Sequence, residues 1–71
     1  MPRIFHCYVA LVEGKLIDWK YAVRRPSGSS LHKIGGRVVS PEERRYSGTQ
    51  DNCLKFARSF PVHPEFRGSR P

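Results

Sequence analysis

The chain has 71 residues, of which 38% are apolar and 27% are charged, and its 13 Lys and Arg against 6 Asp and Glu give a net charge of +7. A chain of this length forms one domain at most, and this composition is typical of a globular protein. We therefore expect neither a multidomain enzyme, nor a nucleotide-cofactor fold, nor a membrane protein.

Two β-strands are predicted in the first third of the chain. Residues 4–12 are rich in β-branched and aromatic side chains, and residues 16–23 alternate between apolar and polar ones. The odd-numbered positions of both segments are apolar, so odd must pair with odd if the two form one hairpin. The simplest loop with that parity is Glu13-Gly14-Lys15. The pairs that result are Leu11–Ile17, Val9–Trp19 and Tyr8–Lys20.

The middle of the chain is less regular. Residues 24–30 have the composition of an exposed loop. A short third strand is expected within residues 31–40, where Gly35-Gly36 would break it or form a bulge. Ser40-Pro41-Glu42-Glu43 combines the capping Ser, the first-turn Pro and the acidic residues of a helix start, and Ser47-Gly48 would end that helix after one or two turns.

A C-terminal helix is predicted after Thr49, which can serve as its N-cap. Its apolar side chains recur at positions i, i+3, i+4 and i+7, and Pro61 ends it. Those side chains are Cys53, Phe56, Ala57 and Phe60. The fold class is therefore α+β, with a small antiparallel sheet (the hairpin and a short third strand) packed on one C-terminal helix. Residues 1–61 form this domain, and residues 62–71 form a flexible basic tail.

The two cysteines, Cys7 and Cys53, lie among apolar neighbours. Two buried, reduced thiols are the favoured interpretation, and a single disulfide is the alternative. No pair of Cys or His residues has the spacing of a metal site, so we expect no metal and no other cofactor. Pairing of two copies through a free sheet edge is one way in which so small a domain could add to its core.

Positive charge is concentrated in the middle of the chain. Between Trp19 and Pro41 there are five basic residues and no acidic one, and Arg44-Arg45 follow. Phosphates attract such a cluster through counterion release, and Tyr8, on the polar side of its strand, would stack on unpaired bases. The residues expected to contact nucleic acid or another partner are Tyr8, Lys20, Arg24, Arg25, Lys33, Arg37, Arg44 and Arg45.

These observations favour a small, cytoplasmic, non-enzymatic protein that binds nucleic acid or a nucleoprotein complex and not a membrane. The hairpin-then-helix layout resembles that of several small phage-encoded inhibitors of host nucleoprotein machines, including RNA polymerase inhibitors and some anti-CRISPR proteins. This resemblance implies an alternative, a phage-type inhibitor that binds a host protein or nucleoprotein machine of the RNA polymerase or CRISPR effector class by protein–protein contact, with its basic face on an acidic protein surface. A weaker alternative is a small RNase toxin that uses His6, His32 or His63.

Overall fold

The computed structural model describes residues 3–28 and 31–71. Its elements in chain order are β1 (Phe5–Val12), β2 (Lys15–Ala22), β3 (His32–Ile34), β4 (Arg37–Val39), β5 (Glu42–Gly48) and α1 (Gln50–Arg58). An antiparallel sheet has the strand order β2-β1-β5, and β3 and β4 form a separate two-stranded sheet. The sheet β2-β1-β5 packs against α1, the one helix within the described ranges, so the predicted α+β class is confirmed.

The hairpin β1–β2 has the predicted pairing along most of its length but a different turn. Tyr8 pairs with Lys20 and Val9 pairs with Trp19, as predicted. The loop, however, is the two-residue turn Glu13-Gly14, in which both residues have positive φ, 55° and 75°, as a type I′ turn requires. Leu11 consequently pairs with Leu16 instead of Ile17, and the register shift between Ala10 and Leu11 leaves Ile17 as the extra residue. This bulge restores the odd-with-odd pairing beyond it.

The core lies between the odd-numbered side of β1 and α1. Its buried members are Cys7, Val9, Leu11, Leu16, Cys53 and Ala57. Aromatic side chains pack against it, including Tyr46 of β5, which is stacked on Phe56 of α1 with ring centroids 5.3 Å apart. Both cysteines are buried, free thiols, as the favoured interpretation predicted.

Helix α1 begins after Thr49, as its sequence predicts, but it ends earlier than predicted, so Phe60 of the predicted apolar stripe lies beyond its last residue. The Thr49 hydroxyl accepts a hydrogen bond from the backbone N–H of Asn52 at 3.1 Å, which caps the first turn. The helix ends at Arg58, three residues before Pro61. No helix in residues 3–28 and 31–71 has the length and apolar character needed to cross a membrane.

The helix predicted to start at Ser40-Pro41-Glu42-Glu43 is wrong, because Glu42–Gly48 forms strand β5. This strand pairs with β1 over seven residues, from Leu11 opposite Glu42 to Phe5 opposite Gly48. A ladder of this length outweighs a local capping signal that is worth about 1 kcal/mol.

The short strand expected within residues 31–40 is in fact a hairpin, β3–β4. Gly35 and Gly36 both have positive φ, 56° and 76°, and they form its turn. The side chains of His32 and Ile34 are buried, whereas Lys33 between them is exposed. One side of this small hairpin is therefore covered by the rest of the protein.

The segment after α1 lies beside β2. The backbone N–H of Leu16 donates to Pro61 O at 2.6 Å, and the N–H of His63 donates to Leu16 O at 2.9 Å. Farther along, Trp19 Nε1 donates to the carbonyl of Ser69 at 2.7 Å. The flexibility expected of residues 62–71 stays a prediction.

Candidate nucleic-acid interface

The side of the main sheet that faces away from α1 is polar, and we call it the polar sheet face. Directly opposed residues share a face of a sheet, so the pairing defines three rows across β2, β1 and β5. These rows are Ala22–His6–Ser47, Lys20–Tyr8–Arg45 and Asp18–Ala10–Glu43. Both acidic residues of the face have their backbone in the Ala10 row, about 13 Å from the backbone of the His6 row at the usual strand rise, and the Glu43 side chain reaches back to the Tyr8 hydroxyl.

Tyr8 lies at the centre of the polar sheet face and has no exposed surface. Its ring is flanked by Lys20 Nζ and the Arg45 guanidinium, 5.3 Å and 5.1 Å from the ring centroid. Its hydroxyl donates to Glu43 Oε2 at 2.9 Å and lies 3.2 Å from Nε2 of His32. Because the single hydroxyl proton is used for Glu43, the nitrogen of His32 is the donor in the second bond.

The expectation that Tyr8 offers an exposed ring for base stacking is therefore corrected. The physical reason is that β3 covers this part of the sheet and places the buried side chain of His32 against the tyrosine hydroxyl. Tyr8 positions Arg45 and Lys20 instead, through cation–π contacts on its ring.

A cleft of about 230 Å³ opens at the His6 row of the polar sheet face. Its lining residues are His6, Cys7, Arg25, Arg45, Tyr46 and Ser47. The side chains of Cys7 and Tyr46 belong to the core on the other side of the sheet. The remaining lining residues are two arginines, a histidine and a serine, and no acidic residue lines the cleft.

A backbone contact brings the two arginines of the cleft together. Arg45 Nη1 donates to the carbonyl of Pro26 at 2.6 Å and so fixes the loop after β2 against β5. Arg25 precedes Pro26 in the chain and reaches the same cleft. Two like charges in one cleft repel each other unless an anion lies between them.

The remaining predicted cations are distributed over different parts of the surface. Arg24, Lys33 and Arg37 are exposed. Arg44 pairs with Val9 in the ladder and therefore faces the α1 side, where its Nη2 forms an ion pair with Glu42 Oε1 at 2.6 Å. The structure thus brings Lys20, Arg25 and Arg45 to one face and places Arg44 on the opposite one.

Lys33 contributes to a second cleft, of about 280 Å³, between β2, β3 and the C-terminal segment. The lining residues are Ile17, Asp18, Lys33, Ile34, Glu65, Phe66, Arg67 and Gly68. Two carboxylates accompany its two cations, so this cleft has no net attraction for an anion.

The three histidines do not converge. His6 lines the first cleft, His32 is buried against Tyr8, and His63 lies beside Leu16 on β2. Among the described residues, no group of three or more His, Cys, Asp and Glu could hold a metal ion. Burial, and secondarily the neighbouring Cys53, raises the pKa of Cys7 to about 11, which disfavours a thiolate nucleophile at this cleft.

Sequence reasoning missed Ser47 and the carbonyl of Pro26 as parts of this site. Ser47 is followed by Gly48, a pair that indicates the end of a helix as readily as a position in a strand. A backbone carbonyl in a Ser-Gly-Pro loop carries no sequence signal at all.

No family model, curated protein or solved structure matches this chain. The resemblance to phage-encoded inhibitors therefore stays a hypothesis, and the function has to be argued from the residues of the interface.

Proposed function

We propose that this chain is a small non-enzymatic protein of the cytoplasm that binds nucleic acid, alone or within a nucleoprotein complex, through its phosphates. The observation that carries the proposal is a set of exposed cations that form no ion pair in the part of the chain that the structure describes. Arg24, Arg25, Lys33 and Arg37 are exposed. Within residues 3–28 and 31–71 none of them has an ion-pair partner, and the one ion pair joins Arg44 to Glu42.

Such cations favour a polyanion as partner. Each phosphate that a protein cation neutralises releases a condensed counterion, and this gain depends on salt concentration and not on base sequence. Three of these four residues are arginines, whose planar groups can contact a phosphate through two hydrogen bonds.

Contact with bases through aromatic stacking has no support in the exposed surface. The chain has eight aromatic residues, and all of them are at least partly buried. The large apolar side chains that are exposed in the described ranges are aliphatic, namely Ile4, Val23, Leu31 and Val38. The proposed recognition is therefore of the backbone, and it should be largely independent of sequence.

The test is a salt titration of binding to labelled duplex DNA, duplex RNA and single strands of equal length, followed by fluorescence anisotropy. We expect the logarithm of the association constant to fall linearly with the logarithm of the salt concentration. The double variant Arg24→Ala/Arg25→Ala should reduce the magnitude of that slope by about 2 for every sequence, because one contact contributes about 1.

A matched control removes the same charge elsewhere. Lys55→Ala/Arg58→Ala changes two exposed cations in the last turn of α1 and gives the same net charge as the test variant. If both double variants lower the affinity and the slope equally, then overall charge and not the position of Arg24 and Arg25 determines binding. Binding that is insensitive to salt would contradict the proposal altogether.

A second candidate function, protein binding, is favoured by the outer side of the hairpin β3–β4. Leu31 and Val38 are 58% and 63% exposed, and Lys33, which pairs with Val38, stands on the same side. Aliphatic side chains next to a cation suit an acidic protein surface with an apolar centre. A complex captured from host lysate in stoichiometric amount, resistant to nuclease and lost in Val38→Asp, would favour this function over the first.

A further inference from the structure

The cleft at the His6 row has the composition of an anion site. Its polar side chains are those of His6, Arg25, Arg45 and Ser47, contributed by β1, the loop after β2, and β5. Neither acidic residue of the same face, Asp18 or Glu43, lines the cleft, and the Glu43 carboxylate accepts a hydrogen bond from the Tyr8 hydroxyl. Positive potential is therefore concentrated at this end of the polar sheet face.

Arg45 is held in place before any ligand arrives. Its guanidinium lies over the ring of Tyr8 at 5.1 Å, and its Nη1 donates to Pro26 O at 2.6 Å. A guanidinium has five N–H donors, and this bond uses one of them, so the others remain for a ligand. An arginine that is already ordered loses less side-chain entropy when it binds a phosphate than a free one does.

His6 and Ser47 form a pair whose hydrogen bonding depends on protonation. His6 Nδ1 lies 2.7 Å from Ser47 Oγ. When the imidazole is neutral with its proton on Nε2, the serine hydroxyl must donate to Nδ1. When the imidazole is protonated, Nδ1 donates to Ser47 instead, and the serine proton becomes available to a ligand. Protonation thus adds one positive charge and frees one donor.

We infer that this cleft holds one phosphate group between Arg25, Arg45, His6 and Ser47, and that it binds the phosphate more tightly when the His6 imidazole is protonated, because protonation adds a positive charge and frees the serine proton. The inference rests on the proposed function and specifies one contact within it. The groups that line the cleft with His6 are Arg25, Arg45, Ser47, Cys7 and Tyr46, and β2 places Ala22 opposite His6. The lining therefore contains no carboxylate.

The bound phosphate is either a backbone diester or a terminal monoester, and the two are distinguished with oligonucleotides that carry or lack a 5′-phosphate. Affinity for each is measured at pH 8 and pH 5.5, a range in which a histidine gains its charge. For the strand without a terminal phosphate the ligand does not titrate, so any change belongs to the protein. We expect it to bind roughly fivefold to tenfold more tightly at pH 5.5 in about 0.1 M salt, the size of one additional phosphate contact. A terminal monoester is indicated instead if only the 5′-phosphorylated strand shows this gain.

Two histidine variants separate the cleft from the rest of the protein. His6→Gln should lose the increase in oligonucleotide affinity at pH 5.5, whereas His63→Gln, on the far side of β2, should keep it. Ser47→Ala should lower the gain without abolishing it, because the charge remains. If His6→Gln keeps the full pH dependence for both strands, the inference is overturned.

A second measurement keeps the inference distinct from the proposed function. Inorganic sulfate stays dianionic over this pH range, and it is titrated against the ¹⁵N-labelled protein while amide shifts are recorded. Shifts concentrated at His6, Arg45 and Ser47, and absent in Arg25→Ala, support the cleft even if no oligonucleotide binds. Oligonucleotide binding without those shifts and without the His6 effect would leave the proposed function standing and remove this site.

Discussion

The two sides of the main sheet contrast in what covers them. The side that faces α1 is covered by a helix with a regular apolar stripe, and its core residues come from β1, β2 and α1. The polar sheet face is covered around Tyr8 by a three-residue strand, and its central contacts are hydrogen bonds and cation–π contacts. Both sides bury their central residue completely, Val9 on one and Tyr8 on the other.

This contrast shows that side-chain alternation predicts which residues share a face but not whether that face is exposed. The alternation assigned Tyr8 correctly to the side opposite Val9. It gave no information about β3, whose only apolar residue is Ile34 and which covers the polar side. A segment that covers a sheet face with apolar side chains leaves a hydrophobic pattern in the sequence. A segment that covers it with polar side chains leaves no such pattern, since any hydrogen-bonding side chain can make the contacts.

The largest effect should follow from a truncation on the apolar side. Leu16 is fully buried in the core, and Leu16→Ala should lower the free energy of unfolding by about 2–5 kcal/mol. A domain below about 80 residues seldom has more stability than that, so we expect a largely unfolded chain by circular dichroism and urea titration. Ile17→Ala, at the adjacent bulge, is the matched control and should cost clearly less. Equal losses would mean that Leu16 is not a centre of this core.

A smaller effect is expected from the matching change on the polar side. Tyr8→Phe keeps the ring between Lys20 and Arg45 but removes the hydroxyl that bonds to Glu43 and His32. The buried His32 then loses its partner, and we expect a loss of about 1–3 kcal/mol in the free energy of unfolding. Binding of nucleic acid by the folded fraction should remain, because Arg45 keeps its contacts with the ring and with Pro26.

A double-mutant cycle with His32→Ala tests whether this network holds β3 on the sheet. If it does, the two changes should couple by about 0.5–3 kcal/mol, because each removes the same hydrogen bond. Strict additivity would show that β3 is held by Ile34 and not by the polar contacts, and the contrast between the two sides would then disappear.

The parts of the fold that were predictable are those with dense local signals. The hairpin β1–β2 follows from the strong alternation of its strands, and α1 follows from the Thr49 cap and the apolar spacing before Pro61. Strand β5 was not predictable in this way: Tyr46 is its only large apolar side chain, and its first residues imitate a helix start. Its conformation is decided by pairing with β1, a contact between distant segments that no local pattern encodes.

The candidate site was predictable only as a charge pattern. Arg25 and Arg45 follow from the run of basic residues, but their convergence depends on the hydrogen bond from Arg45 to Pro26 O. Arg44 was expected beside them, and strand geometry places it on the other side because adjacent residues of a strand face opposite ways. Which of Arg44 and Arg45 belongs to the interface thus depends on whether this part of the chain is a strand or a helix.

The apolar side should also respond to alkaline pH. Burial, with a smaller contribution from Cys53, raises the pKa of Cys7 from its ordinary 9.0 to about 11. The folded protein therefore holds the thiol proton more tightly than the unfolded chain does. Its contribution to stability is complete below about pH 9 and is lost as pH rises toward 11. Unfolding titrations at pH 8 and pH 10.5 should show this loss, and Cys7→Ala should show less of it; an equal loss in the variant would assign it to other groups.

The smallest effect should come from the helix cap, which tests whether the two sides are independent. Thr49→Ala removes the acceptor for the Asn52 N–H and should cost about 1 kcal/mol, whereas Thr49→Ser keeps a hydroxyl there and should cost less. Because α1 lies on the apolar side, the phosphate affinity of the folded protein should be the same in both variants as in the original chain. A change in that affinity would mean that the sheet transmits the loosening of α1 to His6 and Ser47, and that the two sides are energetically coupled through β1 and β5.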